Sequence, residues 1–480
     1  MRHTMTSTVA CSGCGYPAPF GDPFPLRCPH SGDGADHVMV ATLDPLAARF
    51  PDKGHPHPFI RYRTLLHAHG LASVLGATDG QYVDVVERLD GAVGRVDGRP
   101  FAATPFDRSG PLSSHLGFSA QRGVWVKDET GNVAGSHKAR HLMGLAVHLT
   151  LMEQVGKAWQ GTRDPVLAIA SCGNAALAAA VVARAAGRRL DVFVPTWIDP
   201  RLLSRLQGLD ARVVVCPREA WCPGDPTYHR LQQTIRDGAF PFTCQGPVNG
   251  LTIEGGKTLC YEMISGLLDS GVDLHRFFIQ VGGGALASAC IQALREAVAF
   301  GLLHRSPRIH AVQTRAIHPL KRAYDRVRRR ILERMSRELG IRLPVDAHDE
   351  VRADLIAASA SLPVVQDELH YAAAHRAEFM WPWEEEPRSA ASGIVDDETY
   401  DWLAVVRGLV ETGGYPIVVD EETIIHANRL ARRETGIAVS PTGSAGLAGL
   451  MMLRRSGQIG IHERVAVILT GTAIAGETAP

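Results

Sequence analysis

Short apolar runs, each closed by a small or polar residue and followed by a longer apolar stretch of helical spacing, recur along this chain. Gly123-Val-Trp-Val-Lys127 precedes the stretch from His141 to Leu151. Val166-Leu-Ala-Ile-Ala170 precedes an alanine-rich stretch from Ala175 to Ala186, and Phe277-Phe-Ile-Gln280 precedes Leu286 to Phe300. In all, strand-like runs fall at about 123–128, 166–171, 190–195, 211–216, 276–281, 308–314 and 465–470. A strand covered on both faces reads as a continuous apolar run. Alternation of such runs with helical stretches predicts an α/β fold with largely parallel sheets. Residues 315–400 fit the alternation least. They carry Trp381-Pro-Trp383-Glu-Glu-Glu386-Pro387 and Ser392-Gly-Ile-Val-Asp-Asp397-Glu-Thr-Tyr400, and they read as an inserted lid or interface segment.

Four of the junctions after these runs carry chemistry. Gly135-Ser136-His137-Lys138-Ala139-Arg140 places a lysine among small residues just before a helix. Such an amine has room to condense with an aldehyde; the plain alternative is a surface lysine at a helix start. In Ser171-Cys172-Gly173-Asn174, Gly173 lets a ligand approach the backbone and Asn174 offers an amide. An ordinary capped turn uses the same pair. Val281-Gly282-Gly283-Gly284-Ala285-Leu286 presents bare amides at a helix N-terminus, where the helix dipole favours an anion. Val465-Ala-Val-Ile-Leu469 ends in Thr470-Gly471, a hydroxyl at the tip of a buried strand.

In this order the four segments resemble the fold-type-II pyridoxal-5′-phosphate enzymes of the tryptophan synthase beta-like superfamily, and within them the threonine synthase-like branch. Glu254-Gly255-Gly256-Lys257-Thr258 with Glu262, and Val439-Ser440-Pro441-Thr442-Gly443-Ser444-Ala445-Gly446-Leu447, are similar to segments of that branch, so the likeness spans about 100–475. The resemblance implies two αβ domains with the cofactor in the cleft between them. The larger comprises 46–139 and 251–480 with an insert at about 315–400, the smaller 140–250, and a cysteine-bearing segment, 1–45, precedes both. It implies that Lys138 carries the cofactor and acts as base, that Asn174 reaches the ring oxygen, and that Gly282, Gly283, Gly284 and Ala285 hold the phosphate. Thr470 would face the pyridine nitrogen. A neutral hydroxyl there leaves the nitrogen largely unprotonated, which suits elimination and replacement better than transamination. Ser136, His137, Ser171, Cys172 and Gly173 would line the substrate side.

The chain departs from the branch at the lysine motif. Threonine synthases carry Ser-Phe-Lys-Asp-Arg, where this chain has Ser136-His137-Lys138-Ala139-Arg140. The preceding histidine is similar to tryptophan synthase β chains, and the Lys-Ala-Arg order to D-serine dehydratase. Ser440 stands where relatives often have glutamate. His137 is either a second acid/base or a packed side chain, and Cys172 either a ligand contact or a packing residue.

Charge and cysteine usage narrow the picture. Lys+Arg and Asp+Glu both number 50, which removes the reason to expect nucleic acid. The basic run Arg326-Val-Arg328-Arg329-Arg330 shares its expected helix with Glu333 and Glu338 and reads as a solvated face. No apolar run is long enough to cross a membrane. Met1-Arg-His-Thr opens without an apolar signal core, so a cytoplasmic enzyme is expected, acting on a small amino acid as a homodimer. Of nine cysteines, Cys172, Cys216, Cys222, Cys244, Cys260 and Cys290 are scattered and expected to be reduced thiols. Cys11-Ser-Gly-Cys14-Gly15 and Cys28-Pro-His30 have zinc-ribbon spacing with Ser31 in the fourth cysteine's place. Cys11, Cys14 and Cys28 with His30, or with His37, form the candidate zinc set; a metal-free, proline-rich arm is the alternative.

Three function classes follow. The first is a lyase or synthase acting at Cβ or Cγ of an amino acid, either threonine synthase-like or a serine/threonine dehydratase-like ammonia-lyase. The second is a β-replacement synthase of the cysteine or tryptophan synthase type. The third is a binding protein on a dead scaffold, against which the retained Lys138 and cofactor loops argue.

Overall fold

In the structure, a computed structural model, the described residues are 5–473 except 53, 219–223, 343, 345–346 and 386. Cys222, Glu386 and the opening tetrapeptide Met1-Arg-His-Thr therefore lie outside the described residues. Twelve strands are described: β1 (Ser7–Cys11), β2 (Met39–Leu43), β3 (Phe106–Arg108), β4 (Gly123–Asp128), β5 (Leu167–Ala170), β6 (Leu190–Pro195), β7 (Arg212–Cys216), β8 (Phe240–Pro241), β9 (Arg276–Gln280), β10 (Arg308–Thr314), β11 (Ile417–Val419) and β12 (Arg464–Leu469). All seven strand-like runs of the sequence are strands. The five others are short or only partly apolar, and their pattern gave no signal. The fold is α/β, as the alternation requires.

The strands form three sheets. β1 and β2 pair antiparallel. A six-stranded sheet runs β11-β10-β9-β12-β4-β3, parallel except for β3. A four-stranded sheet runs β7-β6-β5-β8, all parallel. The chain leaves the larger sheet after β4, builds the smaller one from β5 to β8, and returns at β9. Both crossings are made by long helices, Lys138–Gln154 outward and Thr252–Ser270 back.

These two helices are buried on nearly every side. That is the expected place for helices with apolar residues all round rather than on one stripe. They meet at glycines: a Cβ on Gly144 would lie 2.9 Å from Gly255 Cα, and one on Gly255 would lie 2.1 Å from the Arg140 carbonyl oxygen. Only glycine permits that approach.

Residues 315–400 are mainly helical, with helices Pro319–Leu339, Asp349–Ala358, Pro363–Ala374 and Arg376–Phe379. The basic run on the first of these is not simply a solvated face. Arg328 pairs with Asp325 and Asp349, and Arg330 binds Glu368 at 2.7 Å, so these charges tie neighbouring helices together. The cysteine-bearing β1–β2 segment packs on this region and on the helix that follows it: the Asp36 amide donates to the Ala373 carbonyl at 2.7 Å, Trp402 Nε1 donates to Asp36 Oδ1 at 2.9 Å, and Arg407 donates to the Ser12 carbonyl at 2.8 Å.

Candidate active site

Lys138 opens the outward-crossing helix and is half-buried. The helix start is fixed two residues later by Arg140, which is fully buried. Its guanidinium donates to both Glu129 oxygens at 2.9 Å and to the Glu262 oxygens at 2.7 and 3.0 Å. Lys127 completes the cluster with a 2.5 Å bond to Glu262 and a 2.7 Å bond to the Thr104 carbonyl. Burial pushes the Glu262 carboxyl up, but the charges of Arg140 and Lys127 outweigh it and hold it at about 2. Two cations and two carboxylates therefore balance in a buried cluster, tying β4, the lysine helix and the returning helix together. The Lys-Ala-Arg order and the Glu254-to-Glu262 segment thus have a structural purpose.

His137 is buried, and its Nδ1 lies 3.3 Å from the Thr470 carbonyl oxygen. Burial, with the Lys138 charge adding to it, keeps its imidazole well below the usual range, so it packs as a neutral ring. Ser136 is buried against the chain end through a bridge to Gly471, and its hydroxyl has no partner among the described residues. Thr470 is buried too, and its Oγ1 accepts a 2.9 Å bond from Gln280.

The glycine loop lies between β9 and helix Ala285–Ala299, and the segment Ile394–Asp401 covers it. A Cβ on Gly282 would stand 2.2 Å from Asp396 Oδ2, one on Gly283 2.9 Å from Tyr400, and one on Gly284 3.0 Å from Thr399. The Gly283 carbonyl accepts from the Asp401 amide at 2.9 Å, and the Gly283 amide faces the Asp396 carboxylate. Burial raises Asp396 to about 6, against the pull of Lys138 and that amide, and raises Asp401 to about 7. The loop thus turns bare amides toward a carboxyl group that burial holds partly toward its neutral form, and amide donors of this kind are the set that suits a phosphate. Asp396 was missed because 113 residues, 396 less 283, separate it from the amide it meets.

Ser171, Cys172, Gly173 and Asn174 follow β5 on the small-sheet side, all half-buried, with Asn174 the first residue of helix Asn174–Ala185. Space around Gly173 is open: a Cβ there meets nothing within 4 Å. Burial, with Asp396 and Asp225 nearby, lifts the Cys172 thiol to about 11, so it stays protonated. Tyr228 stacks on Tyr400 at 6.2 Å, linking this side to the segment over the glycine loop.

At the N-terminal segment the donor atoms of Cys11, Cys14, Cys28 and His37 all lie within 4.8 Å of one another. Cys14 Sγ is 3.6 Å from Cys28 Sγ, and Cys11 Sγ is 3.4 Å from His37 Nδ1. The fourth donor is His37 rather than His30. The antiparallel register sets Cys11 opposite Met39, which brings His37 beside the cysteine sulfurs, while His30 stays exposed, 3.6 Å from Cys14 alone. His37 Nε2 is oriented by Asp33 Oδ1 at 2.8 Å.

The sequence profile of the family described as "Pyridoxal-phosphate dependent enzyme" matches residues 99–377, more than half of the chain. A threonine synthase from Methanocaldococcus jannaschii is 22% identical over 369 residues, covering 77% of this chain and 74% of that protein. An L-serine dehydratase from Saccharomyces cerevisiae is 31% identical over 180 residues, 35% of this chain and 50% of that protein. Among solved structures, a threonine deaminase from T.th. superposes with a TM-score of 0.53 at 19% identity, covering 81% of this chain and 98% of that one.

Proposed function

Because the chain belongs to the family of pyridoxal-phosphate dependent enzymes, we propose that it is a lyase or synthase that eliminates or replaces a group at Cβ or Cγ of an amino acid, in the manner of threonine synthase. A serine or threonine ammonia-lyase is the second reading, favoured by the dehydratase and deaminase likenesses.

One observation carries the assignment. Of the lysines around the lysine helix and its partner, Lys127 is held by Glu262 and Lys257 by Glu254 and Glu296, both at zero exposure. Lys138, at the start of the helix, has no such pairing among the described residues, so its amine is left able to react. Bound pyridoxal phosphate supplies the electron sink for such chemistry. The residues of this chain do the rest. The Gly282, Gly283 and Gly284 amides and the helix dipole hold the phosphate. Asn174 and the open ground at Gly173 receive the ring and substrate from the small-sheet side. Lys138 moves the Cα proton. Reduction with borohydride followed by peptide mapping should label Lys138, and Lys138→Ala should lose the label and turnover. A label on Lys127 or Lys257 overturns the assignment. Release of a 2-oxo acid from serine or threonine without an added nucleophile would favour the ammonia-lyase.

The same reading takes the smaller sheet with its helices, about 140–250, as a unit closing on the rest, and expects a cytoplasmic homodimer acting on a free amino acid. Neither nucleic acid nor membrane is a partner in it; among the described residues no helix is long and apolar enough to cross a membrane.

The N-terminal donors fit zinc. Tetrahedral zinc with thiolates at about 2.3 Å separates its ligand atoms by roughly 3.8 Å, close to the spacing found. Metal analysis should give about one equivalent per chain, lost in Cys14→Ser and His37→Ala and kept in His30→Ala. Activity should survive chelation, since no step of the chemistry uses this site.

A further inference from the structure

We propose that Gln280 is a positioning residue that sets which way the Thr470 hydroxyl points its proton. The inference rests on the proposed function, because it gives Thr470 a ring nitrogen to face.

Gln280 is the last residue of β9, next to Val281 and the glycine loop, and is 5% exposed. Its Nε2 lies 2.7 Å from the Gly443 carbonyl oxygen, 3.2 Å from those of Thr442 and Ile468, and 2.9 Å from Thr470 Oγ1. Carbonyl oxygens can only accept. Three of them around one atom require that atom to be the amide nitrogen, so the side chain cannot be turned over. Its Oε1 is buried without a partner and is directed at the Gly446 backbone. The polarity of the whole group is thus imposed by the carbonyls of 442, 443 and 468, not by Thr470.

The consequence falls on Thr470. One of the two lone pairs on its oxygen already receives a hydrogen bond from Gln280, so its own proton points away from Gln280, and the hydroxyl meets the cleft weighted toward donating. A donor satisfies a pyridine nitrogen that keeps its lone pair and leaves a protonated one unmatched. Gln280 thereby biases a side chain able to donate or accept toward donating. No charge is involved, and the residue touches neither ring nor substrate.

The test uses full-length protein loaded with cofactor labelled with ¹⁵N at the ring nitrogen. Its chemical shift, followed over pH, reports protonation of that atom independently of turnover. In the wild type the nitrogen should stay unprotonated through neutral pH. Gln280→Met, similar in size but without donors, should leave cofactor affinity within severalfold. It should move ring-nitrogen protonation to higher pH, and kcat should fall by roughly tenfold, the scale for losing an outer-shell partner, with KM nearly unchanged. Gln280→Glu should move the nitrogen the same way. Thr470→Val reads the same element by a second route, and adding Gln280→Met to it should change the nitrogen no further. Cofactor-loaded Gln280→Met with a wild-type nitrogen shift overturns the proposal, as does an additive effect in the double variant. Wild-type protein that takes up no cofactor overturns the parent reading and this one together.

Discussion

Two strand-to-helix junctions with almost the same local grammar face each other across this molecule, and they are built in opposite ways. After β9, Gly282, Gly283 and Gly284 are each pressed by Asp396, Tyr400 or Thr399 at 2.2 to 3.0 Å from where a Cβ would stand. After β5, Gly173 has nothing within 4 Å. The first set belongs to a packed, hydrogen-bonded wall of the larger sheet, the sheet that the Arg140 cluster ties to the crossing helices. The second belongs to a half-buried edge. Glycine in such a motif marks close approach in one case and free room in the other. The proposed function uses both, with the lysine and phosphate cradle on the packed wall and the entry surface on the open one.

The largest test of this contrast is Arg140→Met. It leaves Glu129 and Glu262 buried with Lys127 as their one cation, and removing one partner of such a cluster costs about 3–5 kcal/mol. Denaturant unfolding should show that loss, and a change under about 1 kcal/mol would mean the wall is not pinned there. Acid should act next. Burial holds His67 and His148 at about 4 and His141 at about 3, all neutral on or beside the crossing helices. Each lies below its unfolded value, so the unfolded chain takes up the proton first. Their contribution is whole above about pH 6.5 and is lost as pH falls toward 4. Thermal melts across that window should show the decline, and a flat profile between pH 7 and 5 would contradict it.

Gly282→Ala should cost about 1–3 kcal/mol, because its Cβ meets the Ile394 backbone at 2.9 Å as well as Asp396. Cofactor affinity should fall with it, measured by titration of the apo-protein. Asp396→Asn should act in the other direction on affinity: with the negative charge beside the Gly283 amide removed, its repulsion of the phosphate is lifted and binding tightens severalfold. Equal affinity in wild type and variant would show that the two anions do not compete. Smallest is Gly173→Ala, whose effect on stability should stay within about 1 kcal/mol while KM for the amino acid rises. A loss comparable to Gly282→Ala would erase the difference between the walls.

Seven strands announced themselves as apolar runs, and with them the α/β class; six are largely buried, while β7 lies at the edge of the small sheet with Arg212 and Val215 exposed. β3, β8 and β11 are two or three residues long, too short for a periodicity to register. The lysine, asparagine and glycine segments were legible because each lies between a strand and a helix start, and the hydroxyl segment because it closes a buried strand. What covers the glycine loop was not. Asp396 and Tyr400 were visible as residues of an irregular insert, but nothing local says that they fold back over residue 283. His37 was likewise hidden, since only the β1–β2 register decides that it, and not His30, joins the thiols. Gln280 looked like the polar end of a strand, and its meaning lies in three carbonyls from distant segments.

The two crossing helices also constrain motion. The backbone passes between the two parallel sheets only along Lys138–Gln154 and Thr252–Ser270, and these rods are interlocked where Gly144 meets Gly255. Two stiff members fastened side by side behave as a single hinge pin. In the closure proposed above, the small sheet would swing about that pin, because sliding along it would separate the glycine contact. Lys138 lies on the pin itself, so in such a swing the lysine would sit at the fulcrum and travel least.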